Sequence, residues 1–86
     1  MKTCRAAPGV HWLVGRTSLT IVDRLGAARQ VGYPEAAVWD FLVRGHSPAD
    51  ASNMVAAVAS LDPDGAAELV RASIAGWVAC GWLEEA

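Results

Sequence analysis

The sequence predicts an α+β fold, a three-stranded antiparallel meander followed by three helices. Two observations carry that expectation. From Val10 to Tyr33 the apolar residues fall in short runs separated by turn residues, with polar and apolar side chains alternating at Ser18–Val22. From Pro34 onward the apolar period becomes helical, with prolines where helices start and glycines where they stop.

The strands come first. Val10–Val14 (VHWLV) is a short apolar run, and Gly15, Arg16 and Thr17 form a turn after it. Ser18–Val22 (SLTIV) places Leu19 and Ile21 on one face and Ser18 and Thr20 on the other. A second turn, Asp23–Ala27, is built around Gly26. Ala28–Tyr33 (ARQVGY) is a third strand, with Val31 and Tyr33 on one face and Gln30 on the other. Connections this short favour antiparallel pairing. Residues 1–9 (MKTCRAAPG) have no periodicity and end in Pro-Gly, so they are expected to be a flexible lead-in to a domain covering 10–86.

The helices follow. Pro34 opens the first, Glu35 sits in its first turn, Ala37, Val38, Phe41 and Leu42 mark its apolar stripe with Trp39 beside it, and Gly45 ends it. Ser47 caps the second, with Pro48 just inside and Asp50 as a short capping-box acid; Ala51, Met54, Val55, Val58 and Leu61 mark one face. The third, Pro63 onward, is the longest and organises the chain. Leu69, Val70, Ile74, Trp77 and Val78 recur at helical spacing, Asp62 stands at the N-cap, and Gly81 makes the stop. Trp82 would then fold back on Trp77, while Glu84 and Glu85 would form a solvated tail.

Composition narrows the function. A chain of 86 residues holds one small domain, and although 53% of it is hydrophobic, much of that is alanine. A large substrate cavity is not expected. A net charge of −2 argues against nonspecific binding to nucleic acid. No apolar run reaches the ~18 residues of a membrane span. No signal peptide is legible behind Lys2 and Arg5, so the expected location is cytoplasmic. Cys4 and Cys80 are expected to be free thiols, with Cys80 a small buried residue of the last helical turn.

The catalytic inventory is thin. His11 and His46 share no ligand spacing with each other or with the cysteines, and no nucleophile elbow, phosphate-binding loop or dinucleotide fingerprint occurs. No catalytic residue, metal or cofactor is expected. The acids fall at helix starts and solvent faces, and the arginines are scattered. Trp39 and Trp77 are expected in the core; Trp12 and Trp82 are assigned there too, with a binding surface as the other possibility. Ala72, Gly76 and Ala79, with Ala75 beside them, make a stripe of small residues along the last helix. Such a stripe either packs closely on a neighbouring helix or floors a groove.

Taken together, the pattern resembles the PqqD family, peptide-recognition domains of pathways that modify ribosomally made peptides. The resemblance rests on Ala36-Ala37-Val38-Trp39-Asp40-Phe41-Leu42, on Gly45-His46-Ser47-Pro48 and on Gly81-Trp82-Leu83-Glu84, and extends over Val10 to Glu85. The chain departs from it at Val31-Gly32, where the family commonly has Leu-Asn, and lacks the usual Thr-Gly in the second turn. The resemblance implies a winged-helix-like domain without enzymatic activity. It further implies that the leader segment of a precursor peptide adds as a strand between the third strand and the last helix. On this chain the edge would be Ala28, Arg29, Gln30, Val31 and Gly32, and the helix would offer Leu69, Ala72, Ser73 and Gly76, with Arg29 or Arg71 meeting acidic leader residues. The implied partners are the leader peptide and a modifying enzyme, often a radical SAM protein.

Two rivals remain. A DNA-binding winged helix predicts basic residues on its recognition helix, but Ala49–Ser60 contains no Arg or Lys. A structural homodimer could form through the third strand or the small-residue face.

Overall fold

Leu19 and Ile21 fix the placement of the sheet. A computed structural model describes residues 3–85. In it both side chains are fully buried, while the alternate residues of β3 (Ser18–Val22) are only partly covered. β2 (His11–Val14) and β4 (Ala28–Gly32) pair antiparallel with β3 on either side, in the order β2-β3-β4. Trp12 stands opposite Ile21, and Val31 opposite Leu19, so these side chains share the core face.

Three helices close over that face: α1 (Glu35–Val43), α2 (Pro48–Val58) and α3 (Pro63–Ala79). Val38, Trp39 and Leu42 of α1, Val55 of α2, and Val70, Ile74 and Trp77 of α3 join Leu19 and Ile21 in one core. Trp39 is its centre. Its ring meets that of Trp12 edge-on at 5.7 Å and that of Trp77 at 5.2 Å, which links sheet, first helix and last helix in one aromatic row. The architecture expected from the sequence, a three-stranded antiparallel sheet followed by three helices in an α+β fold, is the one present.

The helices stop in the same way. Each ends with an amide bonding five residues back: His46 to Phe41 at 3.2 Å, Leu61 to Ala56 at 3.1 Å and Trp82 to Trp77 at 2.9 Å. The residue before each donor must take positive φ. Gly45 (φ +100°) and Gly81 (φ +78°) do so without a side-chain clash, and Ser60 does so at φ 54°. Ser47 caps α2 as expected, its Oγ accepting from the Asp50 amide at 3.1 Å. Asp62 has the extended backbone of an N-cap, but its side chain accepts no hydrogen bond from the first turn of α3.

Several expectations are corrected. Residues 4–6 are not a flexible lead-in: they form β1 (Cys4–Ala6), paired antiparallel with β5 (Leu83–Glu85). Met1 and Lys2 of that segment, and Ala86 at the other end, lie outside the described residues. Cys4 and Leu83 are buried against the core, so the pairing is held by apolar contact, and Arg5 and Glu84 form an ion pair across it at 3.1 Å. Glu84 and Glu85 therefore belong to a strand and not to a solvated tail. β4 ends at Gly32; Tyr33 lies exposed in the next turn, because Pro34 has no N–H with which to extend a ladder. Val58 is exposed, and so is Cys80, which falls on the flank of α3 that turns away from the core.

Candidate functional site

The hydrogen-bond phase of the sheet determines what β4 offers. The Asp23 amide donates to the Ala27 carbonyl at 3.0 Å, which makes that pair a hydrogen-bonded one. Such pairs alternate along an antiparallel ladder. Arg29 and Val31 are thus bonded to Ile21 and Leu19, and Ala28, Gln30 and Gly32 turn their N–H and C=O groups outward. The Gly15 amide, 2.8 Å from the Ser18 carbonyl, sets the phase on the other side in the same way. There His11 and Leu13 bond to β3, and Trp12 and Val14 face outward. β4 is therefore a free edge with unpaired groups at every second residue.

The side chains of β4 divide the other way. Arg29 and Val31 share the face of Ile21 and Leu19. Val31 packs on the rim of the core, while Arg29 is exposed even though it projects to the core side. The inner face of the sheet is thus uncovered at this edge. Among the described residues Arg29 has no ion pair.

α3 has two flanks on either side of its buried spine of Ala66, Val70, Ile74 and Trp77. Leu69, Ala72, Ser73 and Gly76 line one of them, at steps of three and four residues. Leu69 and Ser73 are half-buried, and Ala72 and Gly76 are exposed. A methyl group at Gly76 would meet nothing within 4 Å, and the same is true at Gly32. The small residues therefore do not serve close helix packing; the face is simply open. Cys80 continues it four residues beyond Gly76, a member that went unrecognised in the sequence because a cysteine ending an apolar helix reads as core. α1 packs against both β4 and α3, which do not pack comparably against each other.

Arg71 is not part of this arrangement. It lies about 160° around the helix from Leu69, given 100° per residue, and lines a second groove of about 710 Å³ between α2 and α3. Its guanidinium donates to Glu68, and that hydrogen bond and charge raise its pKa. Pro48, Ser52, Ala67, Ile74 and Val78 are among the other residues of its wall. A smaller hollow of about 230 Å³ lies among Val14, Tyr33, Phe41 and Val58. No group of three or more His, Cys, Asp or Glu that could hold a metal occurs among the described residues. No helix among them is long and apolar enough to cross a membrane.

No protein-family model matches the sequence, and no curated protein matches it either. Solved structures do. One is TbiB1 in complex with the TbiA(beta) leader peptide: TM-score 0.85, 15% identity, 93% of this chain against 94% of that one. Another is lasso peptide synthetase B1 complexed with the leader peptide: TM-score 0.83, 20% identity, 94% of this chain against 96% of that one. The fold is shared. At these identities the likeness is one of architecture over nearly the full length of each chain, and it agrees with the winged-helix-like arrangement that the family resemblance implied.

Proposed function

We propose that this domain binds the leader segment of a ribosomally made precursor peptide by strand addition to β4 and presents it to a modifying enzyme. The observation that carries the reading is the free edge at Ala28, Gln30 and Gly32 together with an uncovered flank of α3, in a fold shared with two proteins solved with leader peptides. Backbone bonds to the outward groups of β4 would supply affinity that is largely indifferent to sequence. Side chains pointing to Leu69, Ser73, Gly76 and Val31 would supply selection. Arg29, exposed on the core side of that edge, would favour an acidic leader residue; Arg71, on the opposite flank and paired with Glu68, would not take part.

The domain would do no chemistry. Holding leader and enzyme together raises the effective concentration of one for the other. The enzyme is assigned by class only, one that acts on ribosomally made peptides, with a radical SAM protein as the example that the family resemblance suggests. A cytoplasmic location goes with that role.

The test begins by identifying the peptide that co-purifies with the tagged chain from its native cell. A synthetic copy is then titrated while amide exchange is followed residue by residue. Slowed exchange at Ala28, Gln30 and Gly32 is the expected result. Protection at Trp12 and Val14 instead, or none on β4, would remove the assignment.

A further inference from the structure

β2 is the other edge of the sheet, and nothing in its sequence protects it. His11–Val14 contains no Lys, Asp, Glu or Pro, and its pairing with β3 runs without a bulge. Edge strands of stable monomers are commonly blunted by one of those devices. Instead, Leu13 is 72% exposed and Val14 63%. Leu13 lies on the outer face of the sheet, where its row holds Thr20 and Gln30, and it has no apolar neighbour in that row.

We propose that β2 is a self-association edge: two copies of this chain pair β2 to β2, antiparallel, about a two-fold axis at Leu13. The reason is that the edge is complementary to itself. Its outward N–H and C=O groups belong to Trp12 and Val14. An axis at Leu13 sets Trp12 of one copy against Val14 of the other, and the reverse, so residues with free groups meet in the hydrogen-bonded positions. Leu13 then meets Leu13 of the second copy at the non-hydrogen-bonded position, where Cα atoms approach to ~4.5 Å and side chains are closest. The exposed leucine, unexplained in the isolated chain, gains an apolar partner, and Val14 packs beside the half-buried Trp12.

Charge agrees with this register. The register brings the hairpin turn that carries Arg16 in one copy to the start of β2 in the other, where Val10 is next in line to Asp23 across its own hairpin. Among the described residues Arg16 has no ion pair, and Asp23 uses Oδ1 to accept from the Leu25 and Ala27 amides, which leaves its second oxygen available. Each two-fold-related end thus brings an unpaired cation toward an anion, in the self-matching manner of an isologous interface. The β4 edges stay free at the two far ends of the joined sheet, so the pairing does not depend on what binds there.

The test is the mass of the whole chain in solution, by sedimentation equilibrium and native mass spectrometry over a dilution series. The wild type is expected at twice its 9.0 kDa, falling toward 9.0 kDa on dilution. Leu13→Lys places like charges against each other on the axis, and Leu13→Glu does the same with the opposite sign. Each variant alone should run as a monomer, and an equimolar mixture should recover a dimer containing one of each. Val14→Pro, which removes an outward N–H that an edge can spare, should fold by circular dichroism and stay monomeric. A wild type that remains at 9.0 kDa at its highest soluble concentration overturns the proposal. So does a dimer that survives in both Leu13 variants separately.

Discussion

Trp39 stands edge-on to Trp77, ring centroids 5.2 Å apart and planes at 89°, and this contact ties the first helix to the last. Trp39 is wholly buried, and its indole N–H has no acceptor among the described residues. An orphaned donor of that kind costs about 1–3 kcal/mol. Trp39→Ala should lose about 3–5 kcal/mol by leaving a cavity. Trp39→Phe discards the orphaned N–H together with part of the ring, so its loss should be clearly smaller. Urea melts of both variants measure the difference; equal losses would mean that the N–H is satisfied after all.

Ser60 holds the left-handed position that glycine fills at the ends of the other two helices. For an L-residue with a side chain that conformation costs about 1–2 kcal/mol, part of which is recovered against the greater freedom of an unfolded glycine. Ser60→Gly should therefore stabilise the domain by about 0.5–1 kcal/mol, a rise of a few degrees in Tm for a chain of this size. A lower Tm would show that the hydroxyl makes a compensating contact.

Gly76 separates stability from binding. Its missing side chain faces open space, so Gly76→Ala should stabilise α3 by about 1 kcal/mol through helix propensity alone. Gly76→Trp should leave the helical circular dichroism unchanged and abolish leader binding. Gln30→Pro should weaken binding by removing an outward donor from β4. Fluorescence anisotropy of a labelled leader peptide reads both; full affinity in the tryptophan variant would move the groove elsewhere.

The two thiols should behave oppositely. Cys80 is exposed on the open flank of α3, so a bulky maleimide should label it readily and compete with leader peptide. Cys4 is buried, and burial, followed by the charge of Glu85 opposite it, raises its pKa above 9.0. The folded chain then holds that proton more tightly than the unfolded one. Stability is unaffected at neutral pH and falls as pH climbs through 9.0 toward the raised value. Cys4→Ala should flatten that decline in alkaline melts.

The order of strands and helices was legible because Leu19 and Ile21 alternate and because Pro48, Pro63, Gly45 and Gly81 mark helix ends by simple sterics. β1 and β5 were not legible. Three residues are too few to show a period, and the contact that binds them, Cys4 and Leu83 packed on one core, joins residues nearly the whole chain apart. The edge at Ala28–Gly32 was named through the family resemblance, but which of its amides point outward could not be, since that follows from one turn bond at Asp23. Arg71 and Ser73 looked equivalent in the sequence; two residues on a helix are enough to place them on different flanks.

The pairing of Cys4–Ala6 with Leu83–Glu85 makes the described chain nearly a closed ring, its first and last strands lying side by side. A ring can be cut elsewhere. A short linker across the clasp, with new ends at the exposed Leu25 tip, should give a circularly permuted domain with the same core. In ordinary synthesis residues 4–6 leave the ribosome well before residues 83–85 and must wait for them before they have a partner.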